Sequence, residues 1–486
     1  MVQGPARTGF ALASRCNRRI VGGKVVGRQK KERSIMKPRI FFINTIALCM
    51  CCSGVVAQQG GSLDITFNPG SGVAGFVNSV ALSANGQLLL GGQFQSINGQ
   101  SRNYVARLNS DGSLDTGFLP GQGPNGVVNA VEVDLAGNVY VGGNFSSFNG
   151  IPASSLARLR GDGSLDLSWT GSTISFGEVT AIKRQADGTL LVIGVYANDK
   201  VIRLNADGSL DPFFNPVAGV TDHAVNAVAI QPDGKVIIAG DFTTNSPVSR
   251  QCLARVSATG ILDPTFDAGY IGGGNPVINA LALQPDGKIL VGGFFSSING
   301  YSLVGVARLN TNGAVDATFV SPFTGGPRVL GVQLLPDSRL LICGTEFSPP
   351  LLRLNYNGSF DGGFSTTFNA AGGAEVESFV VQTDGKIVIG GYFSSVDGTN
   401  ISGIARLSGT TTNLANLQFL SVNPYAGMFL SGIVSNSYRV EWTTNLNTSS
   451  LWTPLFDVTL QTNPQLIFDT APMGGRQRFY RAVALP

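Results

Sequence analysis

Histidine is almost missing: His223 is the only one in 486 residues. A multi-histidine zinc site is therefore excluded, and a Ser-His-Asp triad could use only His223 beside Asp222, with no G-x-S-x-G elbow to accompany it. The expected place for His223 is a solvated loop. Cysteine is scarce as well. Cys16, Cys49, Cys51 and Cys52 precede residue 58, which leaves Cys252 and Cys343. These two fall in non-adjacent repeats and are expected as separate buried thiols, so stability does not rest on crosslinks. Only 13% of residues are charged, and no long amphipathic helical pattern occurs. With 64 glycines, that composition indicates all-β structure with many tight turns. The formal charge of +3 is also misleading. Residues 1–57 hold 11 of the 33 Lys+Arg and one of the 30 Asp+Glu, so the remainder carries 22 against 29, a net −7. No basic stripe is left to hold a phosphate backbone, which excludes nucleic acid as the expected partner.

What is present is repetition. Residues 277–319 read VINALALQPDGKILVGGFFSSINGYSLVGVARLNTNGAVDATF, and copies fill 62–409. The runs 277–283 and 289–295 are short, apolar and bounded by turn residues, as strands buried on both faces are. Pro285-Asp286-Gly287 suits a three-residue hairpin loop, and Thr311-Asn312-Gly313 a second. The unit reads as a four-stranded antiparallel meander, strands a to d. Across the c–d hairpin, Arg308 faces Asp316 on one side of the sheet. The spacing of eight recurs in Arg107 and Asp115, Arg158 and Asp166, Arg203 and Asp211, Arg255 and Asp263, and Arg353 and Asp361. We read these pairs as structural bridges, because seven equivalent joints suit a repeat protein better than seven equivalent sites.

Order matters more than number. The series opens with a d strand at 62–67 and closes with an a-b-c set ending at Leu407. An open array would leave incomplete sheets and exposed edges. Closure into a seven-bladed β-propeller, with one strand from the start completing three from the end, brings Asp64 opposite Arg406. The motifs R-L-N-x-D-G-S-L-D and P-D-G-K-x-x-x-G-G-x-F resemble the delta-60 repeat family of bacterial β-propeller proteins. The resemblance spans 62–409 and implies a propeller fold and export, with little about activity.

Before the repeats, residues 1–35 are basic and irregular. Met36 begins a signal-peptide layout: Lys37 and Arg39, an apolar 40–56, and a small-residue cleavage position after Ala57. The expected organisation is a leader at 1–57, a propeller at 58–409, a linker at 410–417 and a small β-sandwich-like module at 418–486. In that module Trp442 and Trp452 are expected in the core. The expected destination is outside the cell or in its envelope, without a mature transmembrane anchor.

No catalytic or metal constellation stands out, and no cofactor is expected. The string 109–115, NSDGSLD, could pass for a calcium loop, yet its counterpart at 257–260 keeps the glycine and loses the carboxylate. Short near-identical a–b and c–d turns share one face of the ring. The other face carries variable b–c and d–a loops, with copies 3 and 6 cropped in b–c. Function usually sits on variable loops held by a rigid scaffold. Asp222, His223, Tyr270 and Arg328 are the candidate binding residues there. The leading expectation is a non-enzymatic binding or structural scaffold for a protein or glycan. The alternatives are a hydrolase or lyase using acidic residues near the central channel, and a calcium-stabilised adhesin.

Overall fold

The computed structural model describes residues 60–195, 201–214, 223–244 and 248–409, together with strands within 416–484. The leader and its cleavage position, Asp222 and Trp452 lie outside the described residues. Within 60–409 there are seven consecutive antiparallel a-b-c sheets. The a strands are Val73–Leu82, Val127–Val133, Glu178–Arg184, Val225–Ile230, Val277–Leu283, Arg328–Leu334 and Glu375–Val381. Each a strand touches the next, and the seventh touches the first, so the sheets close into a ring around a channel. The apolar runs of the b strands bury completely, whereas the a-strand run Val277–Leu283, expected to be buried on both faces, is half-buried over most of its length because it faces the channel. Leu88, Val139, Leu190, Val236, Ile289, Leu340 and Ile387, one from each b strand, all have no exposed surface.

The d segments differ from the expected fourth strand. Each meets strand c through one bridge pair, such as Leu309 with Val315 and Leu354 with Phe360. The chain then turns away, because the Asp three residues after the turn caps its own successors: Asp316 Oδ1 accepts from the Thr318 N–H and hydroxyl. A blade is thus a three-stranded sheet with a short flap.

At the closure, the bridge is Leu63 with Leu407, and Asp64 N donates to Arg406 O at 2.8 Å. Gly390 shows why the last blade can approach the first: a Cβ there would lie 2.6 Å from Val77 Cγ1. The long b–c connections are hairpins rather than loose loops. Asn98 and Gly99, with φ of 47° and 72°, form the tight turn between Ser96 and Ser101.

Past the ring, two three-stranded antiparallel sheets occur. One contains 416–422, 425–431 and 465–469, and the other 437–443, 453–459 and 479–484. Strand 416–422 begins inside the stretch expected as linker, because Asn416 and Leu417 pair with Ser431 and Leu430. Trp442 is half-buried on its strand.

Candidate functional site

The arginine–aspartate pairs form joints. The Nε-to-carboxylate or terminal-nitrogen distances are 2.6–3.0 Å for Arg107–Asp115, Arg158–Asp166, Arg203–Asp211, Arg255–Asp263, Arg308–Asp316, Arg353–Asp361 and Arg406–Asp64. Each guanidinium also lies over the aromatic ring that follows the aspartate, at 4.7 Å for Phe118 and 5.0 Å for Phe67. In six blades the arginine then crosses to the next blade and donates to its c–d turn. Arg308 Nη1 reaches Tyr356 O at 2.6 Å, and Arg406 Nη1 reaches Ser110 O at 2.7 Å. Burial alone would raise the Asp64 carboxyl. Hydrogen bonds from Thr66, Lys386 and Arg406 outweigh it and hold the group well below the usual range. The turn carboxylates are engaged locally too: Asp111 Oδ1 accepts from the Ser113 N–H at 2.9 Å.

The channel side repeats a second device. Each a strand carries a β-bulge, and the extra residue is Asn78, Asn129, Thr180, Asn226, Asn279, Leu330 or Glu377. Bulges re-aim side chains, and here they reach around the channel. Asn78 Nδ2 donates to Val128 O at 3.1 Å and Asn129 Nδ2 to Val179 O at 3.2 Å. Thr180 Oγ1 reaches Val225 O at 3.4 Å and Asn279 Nδ2 reaches Val329 O at 3.4 Å. Blades 6 and 7 break this belt with Leu330 and Glu377. Burial, the Glu375 charge and a hydrogen bond with Glu375 push the Glu377 carboxyl up to about 7.

The same sector departs from the repeat on the variable face. In blade 6 the b–c connection shrinks to five residues between Thr345 and Leu351, where blades 1, 2, 5 and 7 carry a hairpin. A cleft of about 850 Å³ occupies the space, walled by Glu346 and Phe347 on one side and by Thr367, Phe368, Asn369 and Glu375 on the other. Phe347 rests against Phe323 at 5.3 Å, and Phe368 meets buried Phe393 edge-on at 5.7 Å. Arg328 stands beside the cleft, 3.8 Å from Glu346 and 5.7 Å from the Phe294 ring.

Of the four candidate binding residues, Arg328 therefore joins this sector. Tyr270 is 67% exposed but belongs to the blade 4-to-5 connection, where its carbonyl accepts from Asn299 N. His223 is exposed and does not line the cleft. Sequence reasoning missed Glu346, Phe347, Phe368 and the pairing of Glu375 with Glu377. The available signal was the cropped b–c loop of copy 6. Cys252 and Cys343 are both free and buried, and burial pushes the Cys252 thiol up to about 12.

A family model described as a β-propeller domain of unknown function (DUF5122) matches residues 83–118, 137–168, 185–214, 231–266, 284–319 and 382–409. The blade 6 repeat is not among the matched stretches. No curated protein matches the sequence. Among solved structures, the chain is similar to the extracellular domain of a putative hybrid two-component system from B. thetaiotaomicron, with 14% identity and a TM-score of 0.45 over 75% of this chain and 46% of that one. It is also similar to PorZ, a surface component of the type-IX secretion system of Porphyromonas gingivalis, with 12% identity and a TM-score of 0.42 over 84% and 59%. A gluconolactonase from Xanthomonas campestris shows 15% identity and a TM-score of 0.33 over 56% and 82%. The chain spans about half the length of the first two. By its ring of sheets and its matched repeats, the chain has a β-propeller fold.

Proposed function

We propose that the protein is an exported binding module that captures its ligand on the variable face, in the sector shared by blades 6 and 7. One observation carries the reading: departures from the repeat coincide there. The b–c hairpin of blade 6 is lost, the bulge belt is interrupted by Leu330 and Glu377, and Arg328 begins a strand that opens with valine or glutamate in the other blades. Repetition acts as an internal control. What the blades share is explained by folding. Blade 3 also has a cropped b–c connection and opens with Glu178, but its Thr180 still joins the belt. Only at blades 6 and 7 does loss of the belt add to loss of a hairpin. Export is supported by the leader at 36–57, and a protein or glycan ligand fits a cleft of mixed character.

A screen of the purified mature chain on glycan and protein arrays tests this reading. Binding that is lost when Phe368 and Glu346 are replaced supports it; binding unaffected by those changes, or turnover of a substrate without retention, rejects it. A second reading, acid-dependent hydrolysis or elimination at the channel mouth, draws on the raised Glu377 beside Glu375. Glycosidase pairs stand roughly 5–9.5 Å apart, whereas the Glu377 carboxyl is within hydrogen-bond reach of Glu375. That geometry favours binding.

A further inference from the structure

We infer that the cleft between blades 6 and 7 takes an uncharged saccharide, an inference that rests on the binding-module reading above. The aromatic walls come first. Phe347 and Phe368 come from different connections and face one cleft, and each is braced by a second ring, Phe323 or Phe393. Braced rings present a fixed apolar surface, as the C–H face of a sugar requires, at little entropic cost.

The walls combine hydroxyls of Thr345, Ser348, Thr366 and Thr367 with groups that can only accept. Glu346 and Glu375 contribute carboxylates, and Asn369 uses its Nδ2 on Ser395 Oγ at 3.1 Å, which leaves its side-chain oxygen for other donors. Thr367 is fixed by Asp397, its N–H donating to Oδ1 at 2.8 Å. Vicinal hydroxyls supply the donors that such acceptors lack, and hydrogen bonds to carboxylates are the stronger kind. No lysine or arginine lines the cleft, so a uronate or sulfate would meet the Glu346 and Glu375 carboxylates with Arg328, already set against Glu346, as the one cation beside it among the described residues. A polycation fares little better, because Arg328 already stands against Glu346.

The walls are also held firmly. Phe368 and Asn369 pair with Val396 and Ser395 of the blade 7 hairpin, so they sit on a sheet fragment rather than on a free loop.

The test is one array carrying neutral, acidic and basic glycans together with peptides, read with the mature chain, with Phe368→Ala and Glu346→Gln, and with Leu135→Ala on the opposite face as control. The expected result is retention of neutral glycans, at least tenfold weaker for Phe368→Ala and unchanged for Leu135→Ala. Circular dichroism checks that each variant is folded, and Phe368→Leu stands in should Phe368→Ala fail to fold. Retention of acidic glycans or peptides alone, with the same sensitivity to Phe368, would overturn the sugar assignment while keeping the binding module. No retention on any arm would overturn both.

Discussion

Arg308 and Arg353 occupy equivalent positions in successive blades, yet their partners differ. Arg308 is 1% exposed and saturated: Nε on Asp316, Nη1 on Tyr356 O, and Nη2 on Thr318 Oγ1. Arg353 is as deeply buried, but its Nη1 has no partner. The next blade is the seventh, whose c–d turn is assembled from the two ends of the ring, and Nη1 makes no bond to it. Removing either arginine leaves its aspartate one other cation, Lys288 for Asp316 and Arg339 for Asp361, so the cost should fall below the roughly 3–5 kcal/mol of a fully stranded buried charge. We expect Arg308→Ala to cost more than Arg353→Ala, measured as midpoint shifts in urea. The reverse order would contradict the partner assignment.

Titration sets a second residue-scale expectation. Glu377 is protonated in the fold at pH values where the unfolded chain ionises it, since its carboxyl rises from 4.5 to about 7. Its contribution is therefore complete below the unfolded value and lost as pH climbs through the folded one, a change of about 3 kcal/mol. The ring aspartates act in the opposite direction. Asp166, for example, is lowered to about 2: burial would raise it, but Ser168 and Arg158 prevail. Stability from such groups is present above 3.8 and lost as pH falls. Melting temperature should peak in mildly acidic solution, and Glu377→Gln should reduce the decline on the alkaline side, leaving the part due to Glu132, whose carboxyl burial also raises, while acid unfolding stays unchanged.

At the scale of elements, the b–c hairpin is the part that varies between blades. In blade 5, Ser297 and Ile298 pair with Ser302 and Tyr301 on one side, while Ile298 and Ser297 pair with Ile271 and Gly272 on the other. Blade 6 lacks this element, and the cleft takes its place. Grafting residues 295–303 of blade 5 in place of 346–350 should fill the cleft, abolish ligand retention and leave the melt within a few degrees of the parent. Retention undiminished by the graft would place the site elsewhere. Much of the hairpin chemistry was legible in advance. A three-residue turn sets local register, so a spacing of eight places Arg308 across from Asp316. The bulges were not legible, because Asn279 and Glu377 are extra residues only relative to Gly292 and Gly390–Gly391 on strand b. The short d segments were also over-read as strands, since side-chain capping by Asp316 competes with a longer ladder.

At the scale of the molecule, the ring closes through a turn with no covalent link. Gly61 N donates to Ser408 O at 2.8 Å and Ser408 N to Ser62 O at 2.7 Å, as Asn109 and Ser113 do inside blade 1. Gly61 even adopts a φ of 94°, matching 92° at Gly112. The two ends thus rebuild one c–d turn between them. Joining Gly409 to Gly60 directly and opening the chain after Ser110 should give a circular permutant of the ring that folds with the same cooperative transition. A permutant that fails to fold would show that the closure depends on more than this reconstructed turn.

Local chemistry alone determined the strand pattern, the hairpin turns, the seven Arg–Asp spacings and the one-strand offset that implies closure. Each depends on residues fewer than a dozen apart or on simple counting. Only the tertiary structure decided which carbonyl each arginine reaches, which residue bulges toward the channel, and that a shortened loop in blade 6 opens beside Phe368 and Glu375. Those outcomes depend on how neighbouring sheets pack around the ring, and contacts between residues from different blades leave no periodic trace in either stretch of chain.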